Sequence, residues 1–306
     1  MDKIYDVVII GGGPAGMSAA IYTKRANLDV LLLDANAPGG KLLVTNKVEN
    51  YPGVGDITGV DLSLQMYDQI NKLKIDFDTG RVEKIINNKE TKEIVLKSGD
   101  TIKSRTIIIA TGTSEKKLNI PGEDRYRGFG ISYCAVCDGA LFKETEIVVI
   151  GSGNSALEES IYLTEFVKKI HLIVRKDKFK GEEISQDKVF KNDKIQVYFN
   201  TSAVEIIGDN KHVTGIKVKN NLNNEEYQLN VKGIFPMIGA VPSTSFVEDL
   251  GILNDKGYII VNDKMETSLS GIYGAGDVCQ KTLRQIVTAT NDGAIAAQEI
   301  YKYLNK

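Results

Sequence analysis

The chain has 306 residues, more than one hydrophobic core usually fills, so its length predicts two domains. Charged residues make up 25% of it and hydrophobic residues 42%, with a formal net charge of -2, a balance that fits a globular protein and argues against nucleic acid or a membrane surface as partner. No apolar run reaches transmembrane length, Met1-Asp2-Lys3-Ile4-Tyr5-Asp6 passes straight into a strand without a basic leader, and three cysteines are too few for a secreted disulfide framework, so a cytoplasmic location is expected.

Strand and helix signals alternate from the start. The apolar run Val7 to Ile10 predicts a strand and is followed by Gly11-Gly12-Gly13-Pro14-Ala15-Gly16, then by helical spacing to about Ala26, then by a second strand over Asp29 to Leu33. Ile107 to Ala110 reads as a buried strand that emerges through Thr111-Gly112 into the polar connector Thr113-Ser114-Glu115-Lys116-Lys117. Cys134-Ala135-Val136-Cys137 comes next, with Asp138 directly after it. A second strand, glycine turn, helix and strand then repeat the opening order: Ile147 to Ile150, Gly151-Ser152-Gly153-Asn154-Ser155-Ala156, Ser155 to Phe166, and Ile170 to Val174. The Pro-containing connector Gly239-Ala240-Val241-Pro242-Ser243 leads back to an apolar run ending in Gly274-Ala275-Gly276-Asp277, and a last helix is expected from about Arg284 to Tyr303. The fold class expected is α/β, with two Rossmann-like nucleotide-binding domains of the two-dinucleotide flavoprotein type and the second inserted in the first. The boundaries expected are 1–115 and 244–306 for a first domain in two pieces, and 116–243 for an inserted domain that contains Cys134 and Cys137.

Each motif has a chemical reason. The glycines of the first unit permit a tight turn and close backbone approach to a pyrophosphate, whose charge sits at the positive end of the following helix. Asp34 ends the next strand, where a carboxylate accepts hydrogen bonds from a ribose hydroxyl and repels a 2′-phosphate, so this unit reads as the adenosine end of FAD. At the matching place in the second unit the acid is replaced by bases: Arg175, Lys176 and Lys180 suit the extra phosphate of NADP, although a solvated charged loop has the same composition.

Cys134 and Cys137 at the start of a helix gain thiolate character, the form that attacks a disulfide. Asp138 suits proton transfer, and an N-terminal cap is its structural alternative. Zinc is disfavoured: the remaining ligand types, Cys279, His171 and His212, lack ligand spacing, so no metal is expected. Cys279 and His171 read as packed residues. Asp277 suits the sugar-alcohol chain of a flavin, and the positive end of the last helix suits negative charge on a reduced isoalloxazine.

In this order the residues closely resemble the low-molecular-weight, bacterial-type thioredoxin reductases over almost the whole chain. The resemblance rests on Gly11 to Gly16, Gly39-Gly40-Lys41-Leu42, Val48-Glu49-Asn50-Tyr51-Pro52-Gly53, Ala110-Thr111-Gly112, Cys134 to Gly139, Gly151 to Ala156, Gly274 to Val278 and Arg284-Gln285. It implies a homodimer in which NADPH reduces FAD, FAD reduces the Cys134/Cys137 disulfide, and the dithiol reduces oxidised thioredoxin after the nucleotide domain swivels.

By position, the resemblance makes Cys137 the sulfur nearer the flavin, Cys134 the attacker of thioredoxin, and Asp138 the proton carrier. It assigns FAD contacts to Gly11, Gly13, Ala15, Gly16, Asp34, Gly40, Lys41, Asn50, Val82, Ala110, Gly112, Asp277, Arg284, Gln285 and Ile286. It assigns NADPH contacts to Gly153, Asn154, Ser155, Arg175, Lys176 and Lys180.

Two positions depart from the family. The usual phosphate clamp is His-Arg-Arg with a further Arg, where this chain has Val174-Arg175-Lys176 and Lys180, and Lys cannot form the bidentate pair of Arg. The usual Gln of Gly-Gly-Gln is Lys41, which adds a cation near the isoalloxazine. The altered clamp leaves open a related flavoenzyme fed by ferredoxin or NADH, and a non-catalytic nucleotide-binding redox sensor is the alternative outside enzymes.

Overall fold

The structure is a computed structural model that describes residues 3–45, 48, 50–88 and 90–305. Met1 and Asp2 of the opening segment and Glu49 of the Val48 to Gly53 motif lie outside the described residues. In chain order it runs β1 (Ile4–Ile10), α1 (Pro14–Arg25), β2 (Val30–Asp34), α2 (Gly59–Lys72), β3 (Asp76–Thr79), β4 (Val82–Asn87), β5 (Lys92–Leu96), β6 (Thr101–Ile109) and β7 (Thr113–Glu115). There follow α3 (Glu123–Tyr126), α4 (Ala135–Asp138), β8 (Glu146–Ile150), α5 (Asn154–Leu163), β9 (Lys169–Ile173), α6 (Glu183–Phe190), β10 (Ile195–Tyr198), β11 (Thr201–Gly208), β12 (Val213–Asn220), β13 (Glu226–Leu229) and β14 (Gly233–Pro236). The chain closes with β15 (Ala240–Pro242), β16 (Ile272–Gly274) and α7 (Ile286–Leu304). It divides into two units, Met1–Ser114 with Val241–Lys306, and Glu115–Ala240.

The first unit is built on a seven-stranded sheet in the order β3-β2-β1-β6-β5-β4, with β16 also on β6. On the side away from β1, β6 is long enough to serve two further partners: residues 101–104 pair antiparallel with β5, while Ile107–Ile109 pair parallel with β16. Val7 to Ile10 and Leu31 to Leu33 are buried because helices cover one face and the 247–259 segment the other, which is why these parallel strands read as unbroken apolar runs. α1 and α7 pack closely because their contact residues are small: a Cβ at Gly293 would stand 2.1 Å from the Ala15 carbonyl oxygen.

The second unit has a four-stranded parallel sheet, β10-β9-β8-β14, and a three-stranded antiparallel sheet, β11-β12-β13. Val148, Ile150 and Ile173 face one core with the antiparallel sheet, whereas Ile147, Val149 and Leu172 face another with α5. That alternation places α5 at the carboxyl end of β8, the position from which a helix start addresses a nucleotide.

Candidate active site

The first cradle lies between β1 and α1. Gly11 takes φ +114, and a Cβ there would stand 2.3 Å from the Ala110 carbonyl oxygen; a Cβ on Gly16 would stand 1.8 Å from the Gly11 carbonyl oxygen. Only glycine fits these two places. Gly13 differs, because it caps α1 with its Cβ direction open apart from the Cα of Gly40 at 4.0 Å. This bare backbone at the start of a 12-residue helix is a cradle for an anion.

Asp34, at the end of β2, accepts the N–H of Gly12 on one carboxylate oxygen and that of Asn36 at 2.8 Å on the other. Each oxygen has a second lone pair, so the side chain can hold the turn and accept from a ribose as well. Val82 opens β4 three residues beyond Thr79, which pairs with Asp34.

The segment that returns through β16 adds a polar cluster. Lys41 donates to the Thr113 hydroxyl at 2.8 Å and stands 3.8 Å from the Asp277 carboxylate. Asn50 donates to the Gln285 side chain at 3.1 Å, joining positions 235 residues apart. Arg284 donates to the carbonyls of Asp277 and Cys279, both at 3.2 Å, and lies over the Tyr258 ring. The last helix starts at Ile286 with Gln285 as its cap, so Arg284 precedes it rather than opening it. Gly112, with φ +65 and open space around it, accepts Ser243 N–H.

The dithiol stands on a single turn. Cys134 caps α4 and is bonded to Cys137 with a Cα separation of 5.3 Å; Cys134 Sγ also accepts the Cys137 N–H at 3.2 Å. One turn carries little macrodipole, so the thiolate preference expected from a helix start comes down to this local hydrogen bond. Asp138 ends the turn and makes no capping bond, so the cap alternative does not hold. One of its oxygens, Oδ2, accepts from the Ser132 hydroxyl at 2.6 Å; the other, Oδ1, is buried with no hydrogen-bond partner among the described residues. Burial holds this carboxyl above the usual carboxylate range, and the Ser132 hydrogen bond offsets part of that rise. Glu159, on α5, accepts the Ala135 N–H at 3.4 Å and is pushed up to about 7, first by burial and then by the nearby Glu115 and Glu158.

The second cradle follows β8. A Cβ on Gly151 would stand 2.4 Å from the Met237 carbonyl oxygen, whereas Gly153, which caps α5, faces open space. Asn154 is held in place by Glu182, donating to its carboxylate at 3.2 Å and accepting its N–H at 2.8 Å. Arg175, Lys176 and Lys180 are exposed on the loop after β9, and the N–H of Lys180 donates to the Ser152 carbonyl at 2.7 Å, so the basic loop is tied to the glycine turn. Ser155 sits exposed in the first turn of α5.

Cys279 and His171, read as packed residues, are both buried. Cys279 is buried and its thiol is pushed up to about 12 by that burial, which leaves it protonated and inert. His171 lies between the Tyr198 hydroxyl at 2.9 Å and Glu146 at 3.1 Å, with its pKa lowered by burial. His212 is exposed beside Phe129. Among the described residues no group of His, Cys, Asp and Glu is gathered that would hold a metal ion, and no helix is long and apolar enough to cross a membrane.

Sequence reasoning missed Ser132, Glu159 and the pair Lys281 and Asp292. Asp292 did carry a signal: it falls in the buried stripe Ala289, Gly293, Ala296, Ala297 and Ile300 of α7, where an acid requires a partner. Ser132 carried none beyond standing two residues before Cys134.

Two bare-backbone nucleotide cradles and one cysteine pair define a class of electron-transfer protein. The family described as pyridine nucleotide-disulphide oxidoreductase matches residues 5–293, and the chain belongs to it. Within that family its similarity is to thioredoxin reductases along the entire length. It is 46% identical over 305 residues to the thioredoxin reductase of Listeria monocytogenes, covering 100% of this chain and 95% of that one. With the thioredoxin reductase of Bacillus subtilis the identity is 45% over 306 residues, covering 100% and 96%. The crystal structure of thioredoxin reductase from Streptococcus pyogenes matches with a TM-score of 0.96 at 42% identity, covering 100% of this chain and 99% of that one. The resemblance drawn from the motifs and the expected α/β class with two Rossmann-like nucleotide-binding domains both hold. Membership implies use of a flavin and a pyridine nucleotide.

Proposed function

We propose that this chain is a cytoplasmic, homodimeric thioredoxin-disulfide reductase that passes electrons from NADPH through FAD to the Cys134/Cys137 disulfide and on to oxidised thioredoxin. The observation that carries the reading is the Cys134 to Cys137 disulfide on a one-turn helix that ends in the buried carboxyl of Asp138.

The chemistry of the first cradle fits FAD: Gly13 leaves a side-chain-free space at the start of α1, and Asp34 is an acceptor at the end of β2. Residues 1–115 and 244–306 then form the flavin domain. Gly11, Gly13, Ala15, Gly16 and Asp34 serve the adenosine and pyrophosphate end; Ala110 and Gly112 line the turn beside Gly11; Gly40, Lys41, Asn50, Val82, Asp277, Arg284, Gln285 and Ile286 serve the flavin end. Residues 116–243 form the nucleotide domain, in which Gly153, Asn154 and Ser155 cradle the pyrophosphate of NADPH and Arg175, Lys176 and Lys180 its extra phosphate. Held by these residues, FAD would supply two-electron chemistry between a nicotinamide and the disulfide.

This chain's own residues complete the transfer. The electron pair opens the disulfide, and two protons yield the dithiol. Asp138, largely shielded from water, holds a proton next to the sulfurs and releases it there. Cys134, as thiolate, attacks the disulfide of thioredoxin and displaces one of its sulfurs; Cys137 then attacks Cys134 Sγ, releases reduced thioredoxin and restores the disulfide. A dithiol that must be re-reduced at each turnover suits a reducing compartment. The exposed apolar side chains Leu43, Val44, Val60 and Leu64 of the flavin domain supply surface for a homodimer.

Anaerobic titration of the yellow holoenzyme with NADPH, NADH and reduced ferredoxin tests the donor, and a coupled thioredoxin assay tests the acceptor. NADPH is expected to bleach the flavin and to support turnover that Cys134→Ser abolishes. Turnover unaffected by that substitution would refute the relay.

A further inference from the structure

Ser132 is buried, at 5% exposure, and its hydroxyl stands at the centre of three contacts: Asp138 Oδ2 at 2.6 Å, the Cys134 carbonyl oxygen at 3.2 Å, and the Cys134 N–H, which it accepts at 3.1 Å. A serine hydroxyl has one proton to donate. It cannot donate to the carboxylate and to the carbonyl at once. When Asp138 is ionised, the shorter contact takes the proton and the Cys134 carbonyl keeps only the Asp138 N–H, at 3.1 Å. When Asp138 carries a proton on Oδ2, the direction of that contact reverses: the acid donates to Ser132, and the hydroxyl turns to the Cys134 carbonyl. The Cys134 N–H is accepted in both arrangements. An ionised carboxylate can only accept and a charge-assisted bond is the stronger one, whereas a protonated Oδ2 donates, so each arrangement is set by the protonation of Asp138.

We infer that Ser132 is a positioning residue whose hydroxyl turns between the Asp138 carboxyl and the Cys134 backbone, so that the proton state of the acid sets the hydrogen bonding of the residue that attacks the partner disulfide. No atom is exchanged by Ser132 itself; it keeps its proton while Asp138 gains or loses one. The inference rests on the reading of Cys134 and Cys137 as the redox couple. Other titratable groups stand around the turn. Glu159 reaches Ala135 from α5, with Glu115 and Glu158 beside it. Tyr133, next in the chain, is turned away to the buried Glu123 carboxylate at 2.7 Å, with the Arg127 guanidinium over its ring. Neither arrangement of Ser132 involves them. The direction of Ser132's influence is to favour the ionised carboxyl.

The test is the pH profile of alkylation of the reduced dithiol in the holoenzyme, for wild type, Ser132→Ala, Ser132→Thr and Asp138→Asn, with and without Ser132→Ala. Loss of the hydroxyl removes a hydrogen bond to a charged group, so in Ser132→Ala the acid limb, where Asp138 titrates, should move up by roughly one to two pH units. Ser132→Thr should restore the wild-type limb. In Asp138→Asn, adding Ser132→Ala should move nothing further. An acid limb unmoved by Ser132→Ala, or moved equally in the Asp138→Asn background, overturns the inference.

Should the alanine variant not fold, infrared spectroscopy of wild type decides: the carbonyl band of protonated Asp138, identified by its loss in Asp138→Asn, should lie where a hydrogen-bond-donating acid absorbs. A band at the free-acid frequency overturns the inference. Wild-type turnover with NADPH and thioredoxin is measured alongside. Absence of that turnover would refute the reductase reading, whereas intact turnover with an unmoved limb refutes only the role of Ser132.

Discussion

The carboxylate of Asp292, on α7, accepts a hydrogen bond from the ammonium of Lys281, and both side chains are shielded from water, at 7% and 16% exposure. The same carboxylate accepts the Gly276 N–H at 2.9 Å, so the ion pair fastens the turn that presents Asp277. Gly276 itself takes φ +79, with a would-be Cβ 2.8 Å from the Ala15 side chain, so the turn is pinned against α1 from one side and α7 from the other.

Asp292→Ala removes the carboxylate and leaves a shielded ammonium and a buried N–H without it. A loss of about 3–5 kcal/mol in folding stability is expected, with weakened FAD retention. Urea unfolding of the holoenzyme and the fluorescence of released FAD measure the two effects. Adding Lys281→Met should recover part of the stability, because it removes the charge that was stranded. An unchanged unfolding midpoint in Asp292→Ala would contradict the role assigned to the pair.

The carboxyl of Glu159, raised from 4.5 to about 7, binds its proton more tightly in the folded chain than in the unfolded one. Its contribution to stability is therefore complete below the unfolded value and is lost as the pH rises through the folded value. Glu159→Gln keeps an acceptor for the Ala135 N–H and cannot ionise. Relative to wild type it should gain roughly 1–3 kcal/mol across this window, less whatever solvent screens. Urea midpoints of both proteins on either side of the window check this, and a parallel pH dependence in the two would rule it out.

Arg175 is exposed on the loop that is tied through Lys180 to the glycine turn. Because a guanidinium supplies the bidentate contact that Lys176 and Lys180 cannot, Arg175→Ala should raise the KM for NADPH by about tenfold or more. The KM for NADH, which lacks the extra phosphate, should stay within about twofold, since no bidentate partner is lost. Steady-state kinetics with both nucleotides measures the ratio; equal increases would argue against phosphate binding.

Cys279 is buried and fully protonated at neutral pH. Brief alkylation of the reduced, folded holoenzyme should label Cys134 and Cys137 and spare Cys279, which should react only after denaturation. Peptide mass mapping distinguishes the three. Labelling of Cys279 at a rate comparable to the others would show that its packing opens in solution.

Much of the site was legible from the residues alone. A strand that ends in glycines and leads into a helix has few conformations open to it, because Gly11 and Gly16 sit where any Cβ would strike backbone. The step from that local geometry to a nucleotide cradle is short. The basic loop after β9 and the cysteine pair were legible for the same reason: their chemistry belongs to neighbours in the chain. The α7 boundary was read less well. Arg284 looked like a helix opener, yet its guanidinium is occupied by the Asp277 and Cys279 carbonyls and the Tyr258 ring, and the helix begins after Gln285.

By itself, then, the order of residues determined the two Rossmann-like units, the dithiol between them and the sign of charge at the end of the strand after each glycine turn, because each depends on side chains within one turn or one strand of each other. Tertiary structure alone decided what surrounds those groups. It set Asn50 against Gln285, Lys41 near Asp277, Lys281 against Asp292 and Glu159 against the start of the dithiol turn. Even Ser132 and Asp138, six positions apart, meet only because the chain folds the one-turn helix back on the segment before it. Burial supplies the physical reason: whether a carboxyl is ionised, and whether a hydroxyl has one acceptor or two, depends on exclusion of water by packing from distant parts of the chain.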